Sequence, residues 1–124
     1  MNPIKILIVG CGNMGASHAA AYHKMSEFEI CGLVARGESK NRLNEKLKSN
    51  YPLFDKYEDA LAQSKPDAVC ISTYPDTHEE FAIKALEAGC HIFIEKPLAD
   101  TVTGCERIIQ KANETGKKVV VGYI

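Results

Sequence analysis

Three glycines, one arginine and a Glu-Lys-Pro triplet are the residues of this chain whose types and spacing carry chemistry. Gly10-Cys11-Gly12-Asn13-Met14-Gly15 follows the apolar run Ile4–Gly10 and leads into small, helix-favouring residues from Asn13 to about Met25. Glycine loses more backbone entropy on folding than any other residue, so this density of it needs a compensating use. At a strand-to-helix turn, Gly10 permits a tight bend. Gly12 lets backbone approach a ligand, and Gly15 lets the helix pack on the strand. The helix start adds free N–H groups and a partial positive charge, which together hold a diphosphate without any basic side chain. Alone, the pattern also fits a tight turn that binds nothing, or a loop for a flavin or another nucleotide.

The second strand candidate, Ile30–Ala35, ends at Arg36. Proteins that bind NAD usually place Asp or Glu here, about 20 residues beyond the glycines, to hold the ribose 2′-hydroxyl. A guanidinium suits a 2′-phosphate instead and can stack on adenine. Ser39 and Lys40 offer further donors, so the sequence favours NADP. Glu38, two residues past Arg36, can still reach a 2′-hydroxyl, which leaves NAD open. The third constellation, Glu95-Lys96-Pro97, closes the strand candidate His91–Glu95. Core packing does not explain it. It sets two ionisable groups at the carboxyl edge of a sheet, on the same edge as the glycine loop. An exposed ion pair beside a turn proline is the plainer alternative.

The elements that must position these residues alternate along the chain. Apolar runs at Ile4–Gly10, Ile30–Ala35, Leu53-Phe54, Ala68–Thr73, His91–Glu95 and Lys118–Tyr123 read as strands. Between them lie helix candidates. Ser39–Ser49 turns Leu43 and Leu47 inward, and Tyr57–Gln63 is broken by Lys65-Pro66-Asp67. The next helix is predicted to open on a capping box, with Asp76 as cap and Glu79 three residues on, and to stop at Gly89. The last is capped by Asp100 or Thr101, has Cys105, Ile108, Ile109 and Ala112 as its apolar face, and ends at Gly116. Strand and helix repeated five times and closed by a strand predicts an α/β protein: a doubly wound, mostly parallel sheet in a three-layer αβα sandwich.

Composition narrows the function classes. The 124 residues suffice for one domain, and a net charge of −1 gives no electrostatic reason to expect nucleic acid or a membrane surface. No apolar run approaches the roughly 20 residues that span a bilayer. The N-terminus moves straight into a strand, so a cytoplasmic location is the expectation. Cysteines at 11, 31, 70, 90 and 105 form no CxxC pair, and the histidines at 18, 23, 78 and 91 do not fall at ligand spacing with them. Reduced, mostly buried thiols and no metal site are expected. The chain stops at Ile124, straight after an apolar strand, and therefore reads as a fragment or excised domain.

Taken together, "GCGNMG" at 10–15, "STYPDTHEEFAIKALEAGCHIFIEKPLA" at 72–99 and "GKKVVVGY" at 116–123 resemble the glucose–fructose oxidoreductase, inositol dehydrogenase and rhizopine-catabolism (Gfo/Idh/MocA) family. The resemblance covers the whole chain and implies a Rossmann fold over residues 1–124. It implies that Gly10, Gly12, Asn13, Met14 and Gly15 form a pyrophosphate loop. It implies that Ser72, Thr73, Tyr74 and Pro75 line the cofactor near the nicotinamide ribose, with His78 close by. Glu95 is implied to bond that ribose, and Lys96 to reach the substrate hydroxyl, aimed into the cleft by a cis bond before Pro97. Tyr74 stands between Thr73 and Pro75 and Cys90 stands where the family often has Lys, both departures from the family pattern. The implied activity is hydride transfer between NAD(P) and a sugar, polyol or related carbinol. In the family, a second domain supplies the remaining proton relay, the substrate pocket and the homo-oligomer contacts. That domain is absent here, so these residues are expected to bind cofactor with little or no turnover. Two other readings stay open: a nucleotide-binding redox sensor that catalyses nothing, and a reductase of another dinucleotide-binding family. Glu95-Lys96 argues against both.

Overall fold

The computed structural model describes residues 2–122. Eleven elements alternate along it: β1 (Ile4–Val9), α1 (Asn13–Lys24), β2 (Phe28–Val34), α2 (Ser39–Leu47), β3 (Leu53–Phe54), α3 (Tyr57–Ser64), β4 (Ala68–Ile71), α4 (Pro75–Glu87), β5 (His91–Glu95), α5 (Val102–Thr115) and β6 (Val119–Gly122). The six strands form one sheet in the order β3-β2-β1-β4-β5-β6, and every pairing is parallel. Parallel pairing requires a crossover between strands, and each helix supplies one.

The sheet is apolar on both faces because both are covered. Leu7, Val9, Val69, Ile71, Ile92 and Ile94 pack with residues of α3, α4 and α5. Ile6, Ile8, Ile30, Leu33 and Cys70 pack on the other face with residues of α1 and α2. This explains the unbroken apolar run of β1, whose last four residues are buried. One irregularity shifts the β1–β2 register: Ile6 pairs with Ile30 but Leu7 pairs with Gly32, leaving Cys31 as the extra residue of a bulge. Strand and helix ends move from the expected limits by a few residues. The strand expected over Lys118–Tyr123 reaches partly outside the described residues.

Two local expectations fail. Asp76 does not cap α4. The cap is Tyr74, and Pro75 takes the first helical position, where its missing N–H leaves no bond unmade. Glu79 is drawn instead to Arg107 on α5, 3.0 Å away. Ile109 is 52% exposed, so α5 faces the core through Gly104, Ile108 and Ala112. At its start Thr101, not Asp100, is the cap and accepts a hydrogen bond from the Gly104 N–H at 2.9 Å.

Candidate functional site

β1 lies between β2 and β4, the two strands that lead off toward opposite edges of the sheet, so the chain changes direction across the β1–β4 pair. A crevice must open there, beyond the carboxyl ends of the strands. The glycine loop sits at that point. Gly10 has φ of 96°, and a Cβ on it would lie 2.5 Å from the Ser72 carbonyl oxygen. A Cβ on Gly15 would lie 1.9 Å from the Gly10 carbonyl oxygen. Both positions are closed to any side chain by backbone. Gly12 differs: nothing stands within 4 Å of where its Cβ would be, and its backbone is extended. Its lack of a side chain serves no contact inside the protein and leaves the start of α1 bare.

A cavity of about 740 Å³ opens beside it, lined by Gly10, Gly12, Arg36, Ser72, Thr73 and Tyr74 among others. The Ser72 hydroxyl is shut off from solvent and has no hydrogen-bond partner among the described residues. A bare helix start, an open glycine and an orphaned hydroxyl beside one cavity fit a dinucleotide. Asn13 and Met14 open α1 next to it, and Ser39 opens α2, half-buried and outside the lining. Pro75 stands at the first position of α4.

The far wall carries charge. Arg36 is exposed and borders the cavity, as does Asp55. Lys40 does not supply the expected free donor. It is buried, and its Nζ donates to the Gly37 carbonyl at 2.7 Å and pairs with Asp55 at 2.8 Å. The sequence offered no signal for this pair, because Asp55 follows a strand of two residues. Glu58 and Glu80 on the rim are both drawn to Lys84. Three of the rim carboxylates are thus partnered, and Arg36 borders the cavity together with Lys56 and Asp76.

The Glu-Lys-Pro end of β5 lies outside this cavity's lining. The Lys96–Pro97 peptide is cis and Lys96 is exposed. Glu95 is only 9% exposed and is held by a residue that the sequence did not single out: His18 Nε2 donates to its Oε1 at 2.6 Å. His18 also meets the Phe93 ring edge-on at 5.0 Å. Helix spacing from Gly15 puts His18 one turn further on, the one signal that pointed to it. His78 lies in the first turn of α4 and is fully buried.

The thiols near the loop are quiet. Burial pushes the Cys11 thiol up to about 11 and the Cys70 thiol up to about 12, so neither is a nucleophile near neutral pH. Among the described residues no three His, Cys, Asp or Glu side chains come together to hold a metal. No helix among them is long and apolar enough to cross a membrane.

Sheet order, switch point and glycine loop define a dinucleotide-binding Rossmann domain. The family model GFO_IDH_MocA, described as an oxidoreductase family with an NAD-binding Rossmann fold, matches residues 4–123, and the chain belongs to that family. It is 31% identical over 121 residues to 4-carboxy-2-hydroxymuconate-6-semialdehyde dehydrogenase of Sphingobium sp. (strain NBRC 103272 / SYK-6), covering 97% of this chain and 38% of the relative. It is 30% identical over 127 residues to inositol 2-dehydrogenase of Paracoccus denitrificans (strain Pd 1222), covering 98% of this chain and 37% of the relative. Among solved structures it is similar to KijD10, a 3-ketoreductase from Actinomadura kijaniata in complex with TDP-benzene and NADP. There the TM-score is 0.85 and the identity 27%, over 97% of this chain and 38% of the other. The chain therefore spans well under half the length of the proteins it resembles.

Proposed function

We propose that this chain is the nicotinamide-dinucleotide-binding part of an oxidoreductase acting on a sugar, polyol or related carbinol. The observation that carries this is Gly12, kept bare at a helix start between two glycines that backbone contacts close to any side chain. The Gly12 N–H and the free amides of α1 hold the diphosphate. Asn13 and Met14 shape the loop's rim, and Gly10 and Gly15 fix its path. Ser72, Thr73, Tyr74 and Pro75 line the crevice toward the nicotinamide ribose. Glu95, steadied by His18, accepts hydrogen bonds from that ribose. Arg36, with Ser39 beside it, faces the adenosine ribose, so NADP is preferred and NAD is the alternative. KijD10 was solved with NADP.

The bound nicotinamide supplies the hydride acceptor or donor. Lys96 is the proposed catalytic residue. Its amine hydrogen-bonds the carbinol oxygen and takes up or returns the hydroxyl proton as the carbon changes oxidation state. The name of one relative, an inositol dehydrogenase, fits that chemistry, while the other is named for a semialdehyde. A second domain is proposed to complete the substrate pocket and to carry homo-oligomer contacts in the whole protein, which is proposed to be cytoplasmic.

Calorimetric titration with NADPH and NADH tests the reading. NADPH is expected to bind more tightly. Arg36→Ala is expected to weaken NADPH by about 10- to 150-fold, the equivalent of about 1.5–3 kcal/mol for a charge-assisted bond, and NADH by under about twofold. Equal losses for both would remove the 2′-phosphate argument, and failure of the unmutated chain to bind either would end the proposal. No polyol turnover is expected from these 124 residues alone.

A further inference from the structure

His78 is the one histidine with no exposure, and both its ring nitrogens face main-chain carbonyl oxygens. Nδ1 stands 2.7 Å from the Pro97 oxygen and Nε2 stands 3.1 Å from the Thr73 oxygen. Those carbonyls belong to the two segments that matter most at the sheet's mouth. Thr73 precedes Tyr74 and Pro75 at the start of α4, and Pro97 follows Lys96. Carbonyls only accept. A neutral imidazole has one N–H, so it satisfies one of them and turns a lone pair toward the other. The shorter contact goes to Pro97.

We propose that His78 is a positioning residue whose Nδ1–H, donated to the Pro97 carbonyl, sets the lysine-bearing segment against the start of α4. It touches neither cofactor nor substrate. It acts through the two segments it joins, Thr73–Pro75 and Glu95–Pro97, which carry the groups assigned to the nicotinamide ribose, and this rests on the nicotinamide reading above. A change at His78 then alters how the nicotinamide half of a dinucleotide is received and leaves the glycine loop, to which its ring makes no hydrogen bond, as it was. The two nitrogens can be separated by substitution. An asparagine amide reaches the place of Nδ1, and a glutamine amide reaches the place of Nε2.

The test compares two ligands: the reduced dinucleotide that the chain binds more tightly, and the matching adenosine diphosphate fragment that lacks the nicotinamide ribose. Their affinity ratio isolates the nicotinamide half. His78→Asn is expected to keep the ratio within about threefold of the unmutated chain, while His78→Gln lowers it about tenfold, the scale of one lost hydrogen bond. Both variants are expected to bind the fragment within about threefold. A glutamine that keeps the ratio while asparagine loses it overturns the proposal, as does a parallel loss of fragment binding in both, which marks mere structural damage. If the unmutated chain binds neither ligand, the nicotinamide reading fails and this proposal with it. If it binds both and the variants leave the ratio alone, this proposal alone fails. Nitrogen-15 spectra of the unmutated chain's ring need no variant to fold. A proton on Nδ1 supports the assignment, and a ring protonated only on Nε2 overturns it.

Discussion

Gly12→Ala separates binding from folding more sharply than any other change in the loop. The added methyl meets nothing within 4 Å, so it displaces no protein atom. Gly12 has φ of −74° and ψ of −165°, a conformation alanine adopts without strain. Two opposed effects on stability remain. Alanine is a poorer helix cap than glycine, at a cost of roughly 0.5–1 kcal/mol. It also restricts the unfolded chain, which favours the folded state by about 0.4–1 kcal/mol. The net is within about 0.5 kcal/mol of zero. Binding should respond very differently, because the methyl occupies the approach to the bare amides. Loss of one charge-assisted N–H bond to a diphosphate is worth about 1.5–3 kcal/mol, or about 10- to 150-fold in Kd. Gly15→Ala is the counterpart. Its methyl would sit 1.9 Å from a carbonyl oxygen, a backbone clash that no side-chain rotation relieves. It should destabilise by about 3 kcal/mol or more, at or above the upper end for overpacking. Urea denaturation gives the stabilities, and calorimetry with NADPH and NADH gives the affinities. If Gly12→Ala binds both cofactors within about threefold of the unmutated chain, or unfolds more readily than Gly15→Ala, the loop does not work as described.

Two further predictions concern the framework. Thr101→Ala removes the acceptor for the Gly104 N–H and should cost about 1 kcal/mol, lowering Tm by about 4 °C for a domain of this size. Burial raises the Cys70 thiol to about 12 and the Cys11 and Cys90 thiols to about 11, from an ordinary value of 9.0. A native thiol that keeps its proton while the unfolded one loses it contributes stability that is whole below about pH 9 and declines as pH rises from there through 11 to 12. Alkaline unfolding curves should fall in that window. At pH 8 a thiol reagent should leave those three cysteines untouched until urea is added, and rapid reaction of any of them in the native state would contradict the burial.

Much of this arrangement was legible from residue types. The strand-helix alternation was plain because buried parallel strands read as short continuous apolar runs, and β1 and β5 are clear examples. Gly116 with φ of 70° was readable from its own residue type, and the cap of α5 was narrowed to Asp100 or Thr101, of which the fold uses Thr101. The α4 start was misread because Asp76 and Glu79 have the right spacing for a box, yet Pro75 starts the helix two residues earlier and Arg107, 28 residues away, claims Glu79. His18 with Glu95, and Lys40 with Asp55, were hidden for a related reason. Those partners are distant in the chain and meet only once the sheet order is fixed. The family resemblance supplied site roles that spacing alone does not give. It put His78 close to the cofactor, and the fold adds that its ring nitrogens face the Pro97 and Thr73 carbonyls, a link that spacing alone does not show.

The central strand's two neighbours come from opposite halves of the chain. The β1–β4 seam is held in part by the Lys5 N–H donating to Asp67, residues 62 apart in sequence. Closing so long a loop is entropically unfavourable, and nothing local rewards it until β4 has docked. The first half alone can form its βαβ unit of β1, α1 and β2, yet it has no second wall, so the ligand has nowhere to settle. Assembly and occupancy are therefore linked. A guest present at a hundred times its dissociation constant adds about 2.7 kcal/mol to the stability of the finished protein. It adds nothing to any partly built state, and it rewards the strand pairing of greatest sequence separation.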